Sequence, residues 1–150
     1  MKDDFLIDGV LLTKLKEIPD PKGSVLHMLR NDDDLFTSFG ECYFSEVNIN
    51  AVKGWKKHLS QSQNISVPLG RIKFVLYDDR ESSATFKNIS EIILGRPDSY
   101  YRLHIPNNIW YSFGCISDTN SMIVNCSDIP HSPDESETLP IDNKEIPYSW

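Results

Sequence analysis

Two segments, residues 71–77 and 100–105, alternate between apolar and polar side chains with a period of two. In the first segment Ile72, Phe74 and Leu76 fall on one face. This period is typical of strands that are buried on one side. Further strand candidates are the apolar runs at residues 25–29, 42–49, 89–94 and 121–126.

Residues 11–18 permit two interpretations. Their three leucines and one isoleucine share one face of a helix, which Pro19 would end. The same residues also fit a strand with a bulge, so the pattern leaves both structures open.

Turn-forming residues are spread along the whole chain, with nine prolines and seven glycines. Many short strands between such turns predict an all-β sandwich or barrel, formed as one domain over residues 1–150. After Asp128 the sequence is rich in proline, serine and acidic residues up to Asp142. We expect an extended surface arm there, with a solvated acidic face at residues 134–137.

Composition narrows the classes of partner. The 150 residues carry a net charge of −7, which argues against nucleic acid or an anionic membrane as the main partner. The three cysteines form no C-x-x-C pair, which favours reduced thiols in a cytoplasmic protein. The N-terminus lacks the apolar core of a signal peptide, and no apolar run approaches the ~20 residues of a membrane span.

Candidate site chemistry is concentrated in residues 52–85. This stretch holds a Gly-Trp corner, the cations of V-K-G-W-K-K-H, a histidine, and the charged sequence D-D-R-E-S-S-A-T. Together with L-x-I-P-x-x-I-W-Y-S-F and a terminal I-P-Y-x-W, these motifs resemble the dTDP-4-dehydrorhamnose 3,5-epimerase family, in a shorter branch of it. The resemblance runs from Asp20 to Trp150, and D-x-R-x-x-S-x-T is its most specific part.

The resemblance implies a cupin-type jelly roll, a homodimer, and a nucleotide-linked deoxysugar as substrate in deoxysugar and polysaccharide biosynthesis. The implied activity is epimerisation or isomerisation alpha to the 4-keto group of a dTDP-4-keto-6-deoxyhexose. Such chemistry needs a base, a donor that stabilises the enolate and an acid for the opposite face. It also needs cations for the diphosphate, and it requires no metal and no organic cofactor.

Three residues are catalytic candidates under this resemblance, and of these only Asp142 matches a family position. His58 is the expected base, Tyr111 the expected donor, and Asp142 the expected partner that orients the histidine. The family's catalytic histidine position holds Lys56 in this chain, and its tyrosine position holds Val124. In a strand, residues 56 and 58 share a face, so His58 could still point into the barrel.

Six residues are candidates for substrate binding. Lys53 and Lys56 keep positive charge in the V-K-G-W-K-K-H motif, and Trp55 is either core or a wall of the sugar pocket. The Asp78-Asp79-Arg80 sequence also fits a structural ion pair and turn. The full set is Lys22, Lys53, Trp55, Lys56, Arg71 and Arg80.

Two other functions remain open from the sequence. A sugar-nucleotide-binding protein without catalysis would explain the changed histidine and tyrosine positions. A metal-dependent cupin would need an H-x-H…E group and a later histidine, but His58 stands alone and Tyr111 occupies the later position. One imidazole is not a transition-metal site, so we expect no metal.

Overall fold

The computed structural model describes residues 6–150, so the N-terminal sequence considered above lies partly outside the described residues. The described residues form twelve strands and one short 3₁₀ turn. The strands are β1 (Leu11–Lys14), β2 (Glu17–Ile18), β3 (Val25–Leu26), β4 (Glu41–Val47), β5 (Val52–His58), β6 (Gln63–Leu69), β7 (Arg71–Tyr77), β8 (Ile89–Gly95), β9 (Tyr101–Ile105), β10 (Trp110–Cys115), β11 (Ser121–Ser127) and β12 (Ser136–Thr138). The 3₁₀ turn is Pro133–Glu135.

Ten of the strands build two five-stranded antiparallel sheets that face each other, and β2 pairs separately with β3. The first sheet has the order β1-β9-β6-β11-β4, and the second has the order β12-β5-β10-β7-β8. From β4 to β12 the chain changes sheet at almost every connection, so strands far apart in sequence become neighbours. The all-β prediction is confirmed, and the paired sheets fit the expected jelly roll.

The helical interpretation of residues 11–18 is wrong, and the extended alternative is correct. β1 pairs with β9, so that Leu12 lies opposite Leu103. The backbone nitrogen of Leu15 then bonds to the carbonyl of Tyr100 at 3.1 Å. A helix this short is marginal in water, whereas the strand gains hydrogen bonds and burial from a partner distant in sequence.

Periodicity located most of the other strands. The predicted strand at 71–77 is β7, and the predicted 100–105 differs from β9 by one residue. β6 was not predicted, because its buried positions include the polar Gln63, Asn64 and Ser66. A strand that buries polar side chains lacks the apolar alternation on which the prediction depends.

The core lies between the sheets. Ile65, Leu76, Leu94 and Leu103 from four different strands are buried there. A second apolar cluster, which includes Trp55 and Ile146, lies on the far side of the second sheet, where residues 139–150 pack against it.

The segment from 128 to 142 is only partly the solvated arm that we expected. Glu135 is 9% exposed, and β12 joins the edge of the second sheet beside β5. The prediction of an acidic face at 134–137 is therefore wrong at Glu135. In the described part of the chain, no helix has the length and apolar character that a membrane crossing requires.

Candidate active site

A cavity of about 180 Å³ lies between the two sheets. Lys53, Lys56 and Tyr111 line it from the second sheet, and Tyr43 and Asn125 line it from the first. Its apolar lining comes from Ile65, Phe113 and Ile123. Polar groups therefore face each other across a largely apolar chamber, which is the usual composition of a small-molecule site.

A buried relay of three side chains ends at this cavity. The Glu135 carboxylate bonds Nδ1 of His58, and the Tyr111 hydroxyl lies 3.1 Å from Nε2 of the same ring. The His58 and Tyr111 rings stack with centroids 5.9 Å apart. Because the carboxylate accepts from Nδ1–H, Nε2 carries the lone pair and accepts from the tyrosine. Tyr111, and not His58, is the member of the relay that lines the cavity.

Burial and pairing set the charge states of the relay. Burial lowers the pKa of His58 against the opposing effect of Glu135, so the imidazole is neutral at neutral pH. Burial alone would raise the pKa of Glu135, but its hydrogen bonds from His58 and from the backbone of Gln61 and Ser60 hold it below its usual value. Burial raises the pKa of Tyr111 far above its usual value, so the phenol keeps its proton.

Local structure explains how these groups meet. β12 pairs with β5 so that Ser136 lies opposite His58, which brings the preceding Glu135 over the imidazole. Gly54 has a φ of 116°, and a Cβ there would lie 2.7 Å from the Cβ of Ser112. Only glycine permits this close approach of β5 to β10, next to the register shift that follows Tyr111.

Adjacent lysines on β5 have different surroundings. Lys57 forms salt bridges with Asp79 at 3.0 Å and Glu137 at 3.3 Å, on the side away from the cavity. Lys56 lies opposite Tyr111 in the strand register and lines the cavity. Within residues 6–150 the Lys56 ammonium makes no hydrogen bond or salt bridge, so it is a cation without a protein counter-charge.

The first sheet contributes a polar network to the opposite wall. Asn125 Nδ2 donates to the Tyr43 hydroxyl at 2.8 Å and to Gln63 Oε1 at 2.5 Å. Burial raises the pKa of Tyr43, although the hydrogen bond from Asn125 opposes this. Tyr43 therefore presents a protonated phenol across the cavity from Tyr111.

The structure separates the predicted binding residues into two groups. Lys53 and Lys56 line the cavity, and the Lys53 ammonium bonds the carbonyl of Glu46 at 2.5 Å. Four others do not reach it, namely Lys22, Trp55, Arg71 and Arg80.

Each of these four has a different position for a physical reason. Trp55 points to the opposite face of β5 from Lys56 and is buried against the C-terminal residues, so the core alternative is correct. Arg80 forms a salt bridge with Asp78, and its Nε lies 2.8 Å from Oδ1 of that carboxylate. Lys22 lies in an exposed turn, and Arg71 is exposed at the first position of β7.

The expected role of Asp142 is corrected. Its side chain is exposed, and the carboxylate that bonds His58 belongs to Glu135. Sequence reasoning also missed Tyr43 and Asn125, although the alternation of β4 and β11 would have placed both on inward faces. Within residues 6–150, no group of three His, Cys, Asp or Glu side chains is arranged to hold a metal ion.

Comparisons with known proteins agree with this geometry. Residues 4–150 match the family described as dTDP-4-dehydrorhamnose 3,5-epimerase. The spore coat polysaccharide biosynthesis protein SpsL of Bacillus subtilis is 27% identical, over 97% of each chain. The probable low-salt glycan biosynthesis epimerase Agl13 of Haloferax volcanii is 31% identical, over 96% of this chain and 94% of its own.

Solved structures give the same result. The dTDP sugar isomerase of Desulfovibrio desulfuricans G20 superposes with a TM-score of 0.94 at 48% identity, covering 96% of this chain and 92% of its own. The dTDP-4-dehydrorhamnose 3,5-epimerase of Bacillus anthracis shares the fold at 21% identity, with a TM-score of 0.82 and coverage of 95% and 85%. With a family match over nearly its whole length, the chain belongs to the dTDP-4-dehydrorhamnose 3,5-epimerase family.

Proposed function

We propose that this protein is an epimerase that acts alpha to the 4-keto group of a dTDP-4-keto-6-deoxyhexose. The observation that carries the proposal is the buried relay from Glu135 through His58 to Tyr111, which ends at a cavity beside an unpaired ammonium. Its family membership and its likeness to a dTDP sugar isomerase support a nucleotide sugar as the substrate class.

Proton removal uses the relay. The Tyr111 oxygen takes the proton from the carbon next to the carbonyl, while the phenolic proton passes to Nε2 of His58. The resulting imidazolium is stabilised by the Glu135 carboxylate at Nδ1. A buried tyrosine with a raised pKa is a weak donor to water but a strong base once its proton has moved to the histidine.

The enolate needs a positive partner. The Lys56 ammonium lines the same cavity as Tyr111 and has no counter-charge among residues 6–150. Its charge would therefore be available to the carbonyl oxygen as negative charge develops there.

Inversion requires a proton on the opposite face of the sugar ring. Tyr43 comes from β4 in the first sheet, whereas Tyr111 comes from β10 in the second. The Tyr43 oxygen already accepts a hydrogen bond from Asn125, so its own proton is free to be donated into the cavity. We assign Tyr43 as the acid that completes epimerisation.

The diphosphate has a candidate partner at the cavity mouth. Lys53 lines both the cavity and an adjoining groove of about 620 Å³. Lys53 therefore stands where the sugar and its diphosphate would join. The chemistry needs no metal or organic cofactor, because the 4-keto group itself acidifies the neighbouring carbons.

Solvent exchange tests this mechanism. The wild-type protein is incubated with the dTDP-4-keto-6-deoxyhexose in deuterated water, and the C3 and C5 protons are followed by NMR. We expect exchange with inversion in the wild type and no exchange in Tyr111→Phe. Tyr43→Phe should exchange deuterium with retention and yield no epimer, because only the acid of the opposite face is removed.

The matched control is Tyr101→Phe, which removes a hydroxyl on β9 outside the cavity lining. It should behave as the wild type. Shifted ligand signals without exchange in the wild type would contradict catalysis and identify a sugar-nucleotide-binding protein. Absence of both binding and exchange would contradict the substrate class.

We also propose a homodimer through the outer face of the first sheet. Phe44 lies opposite Val124, and Leu69 lies opposite Met122, on strands β4, β11 and β6. Phe44 is 68% exposed and Leu69 is 58% exposed. An outer sheet face is ordinarily polar, so an apolar group of this kind is expected to be covered by a partner, here a second copy.

Light scattering coupled to size exclusion tests the dimer. The wild type should have the mass of two chains, and Phe44→Asp should have the mass of one. Phe86→Asp, an exposed phenylalanine outside this sheet, is the control that should remain dimeric. A wild-type mass of one chain would contradict the proposal.

A further inference from the structure

A chain of amides fixes the orientation of Asn125. The carbonyl of Ile129 can only accept, and it bonds Nε2 of Gln61 at 2.5 Å. Gln61 Oε1 must then accept from Gln63 Nε2, at 3.0 Å. Gln63 Oε1 in turn accepts from Asn125 Nδ2. Each amide therefore has one orientation, and the series ends with the carbonyl oxygen of Asn125.

That oxygen, Oδ1 of Asn125, has no hydrogen-bond partner among residues 6–150. Asn125 is 2% exposed and lines the cavity. Native proteins rarely leave a buried acceptor unsatisfied, because its lost hydration is not compensated. Both N–H groups of the side chain are used by Tyr43 and Gln63, so the free site is purely an acceptor.

The location of Oδ1 selects the ligand group. It belongs to a side chain that lines the cavity together with Tyr43 and Tyr111, the two proposed proton-transfer groups. At about 180 Å³ the cavity is smaller than the roughly 300 Å³ or more of drug-sized pockets, so it fits a sugar ring and not the nucleotide. The partner of Oδ1 is then a hydroxyl of the sugar.

We propose that Asn125 accepts a hydrogen bond from the C3 hydroxyl of the sugar and so directs C3, and not C5, to the two tyrosines. This inference rests on the proposed function. Of the two carbons next to a 4-keto group, C3 carries a hydroxyl donor, whereas C5 carries a methyl group and the ring oxygen. Asn125 is held by Tyr43, so an acceptor for that hydroxyl lies beside the acid that would reprotonate C3.

Binding of unreactive analogues tests the inference. Calorimetry compares dTDP-glucose, dTDP-3-deoxyglucose and dTDP-2-deoxyglucose on the wild type and on Asn125→Leu. In the wild type, loss of the 3-hydroxyl should raise Kd about tenfold or more, since it leaves Oδ1 unpaired, and loss of the 2-hydroxyl should not. Asn125→Leu should bind dTDP-glucose and dTDP-3-deoxyglucose equally.

Two further variants guard against indirect effects. Asn125→Gln keeps both an acceptor oxygen and two N–H donors and should keep a preference for the 3-hydroxyl. Tyr101→Phe removes a hydroxyl on β9, outside the cavity lining, and should match the wild type. Circular dichroism confirms that each variant is folded before its Kd is interpreted.

The outcomes separate this inference from the proposed function. Equal wild-type binding of dTDP-glucose and its 3-deoxy analogue, with proton exchange intact, would overturn the role of Asn125 and leave the epimerase standing. A preference that survives in Asn125→Leu would overturn it as well. A preference that depends on Asn125, in a protein that exchanges no proton, would support the hydroxyl site and contradict catalysis.

Discussion

Two buried carboxylates, Asp78 and Glu135, each anchor a polar cluster, but only one cluster leads to open space. Asp78 accepts hydrogen bonds from Arg80, Ser83 and Thr85, at 2.6 to 2.9 Å. These partners hold the pKa of Asp78 far below its usual range against the opposing effect of burial. Every member of this cluster is bonded to another member, so the turn between β7 and β8 is locked.

The Glu135 cluster has a different end. Its hydrogen bonds run through His58 to Tyr111, and the tyrosine lines the cavity. The D-x-R-x-x-S-x-T motif around Asp78 is the most family-specific part of the sequence, yet it is the closed cluster. A motif rich in charged and polar residues therefore does not by itself identify a reactive site. A reactive site also needs polar groups that remain unpaired toward a ligand.

The largest effect should come from the open end of the relay. Tyr111→Phe removes the group that contacts the substrate while keeping the ring stack, and kcat should fall about 10³-fold. The free energy of unfolding should fall by only about 1–3 kcal/mol, because the buried Nε2 of His58 loses its hydrogen-bond donor. A variant that loses stability in proportion to activity would contradict the distinction between the two clusters. Tyr101→Phe is the control.

The closed cluster should respond in the opposite way. Asp78→Asn breaks a buried ion pair with Arg80 and should lower the free energy of unfolding by about 3 kcal/mol. The folded fraction should retain nearly normal kcat, since Asp78 does not line the cavity. Urea denaturation together with assays below the transition measures both quantities. A large loss of kcat in folded protein would show that the turn serves the site directly.

The two adjacent lysines of β5 should differ in the same way, because among residues 6–150 one is unpaired and the other is paired. Lys56→Met removes the unpaired ammonium from the cavity, and kcat should fall about 10²-fold as enolate stabilisation is lost. Lys57→Met removes a cation that is already paired with Asp79 and Glu137. Because such pairs make only a modest net contribution, kcat should change less than about threefold. Steady-state kinetics of both variants tests this difference, and equal losses of kcat would contradict it.

The smallest effect concerns pH. The pKa of His58 is lowered from 6.5 by burial, so the neutral ring that can take the Tyr111 proton persists below that value. The acid limb of kcat/KM should therefore lie below pH 6.5, and an acid limb above it would contradict the assignment. The same neutral form is favoured by folding. Its contribution to stability is thus present above pH 6.5 and is lost as pH falls through the lowered pKa.

Glu135 provides the matched variant for the pH profile. Its carboxylate raises the pKa of His58 against burial, so Glu135→Gln should move the acid limb to still lower pH. A limb that stays in place would mean that another group controls it.

Much of the fold followed from local pattern. The period of two at 71–77 located β7 because its inward side chains are apolar and its outward ones are polar. The same rule failed at β6, where the buried positions include the polar Gln63 and Asn64. At residues 11–18, local spacing admitted a helix, and only pairing with β9 excluded it.

The residue pattern and the motifs were sufficient to predict the all-β class and the family, and they identified His58 and Tyr111 as a pair. The partner that orients His58 was found only in the folded chain, where Glu135, 77 residues away, takes the place expected for Asp142. The tertiary structure also showed that Tyr43 and Asn125 face Tyr111 across a cavity. The physical reason is that side-chain alternation is a local property of one strand, whereas a site depends on which strands lie side by side. Those neighbours are chosen by burial and hydrogen bonding over the whole chain.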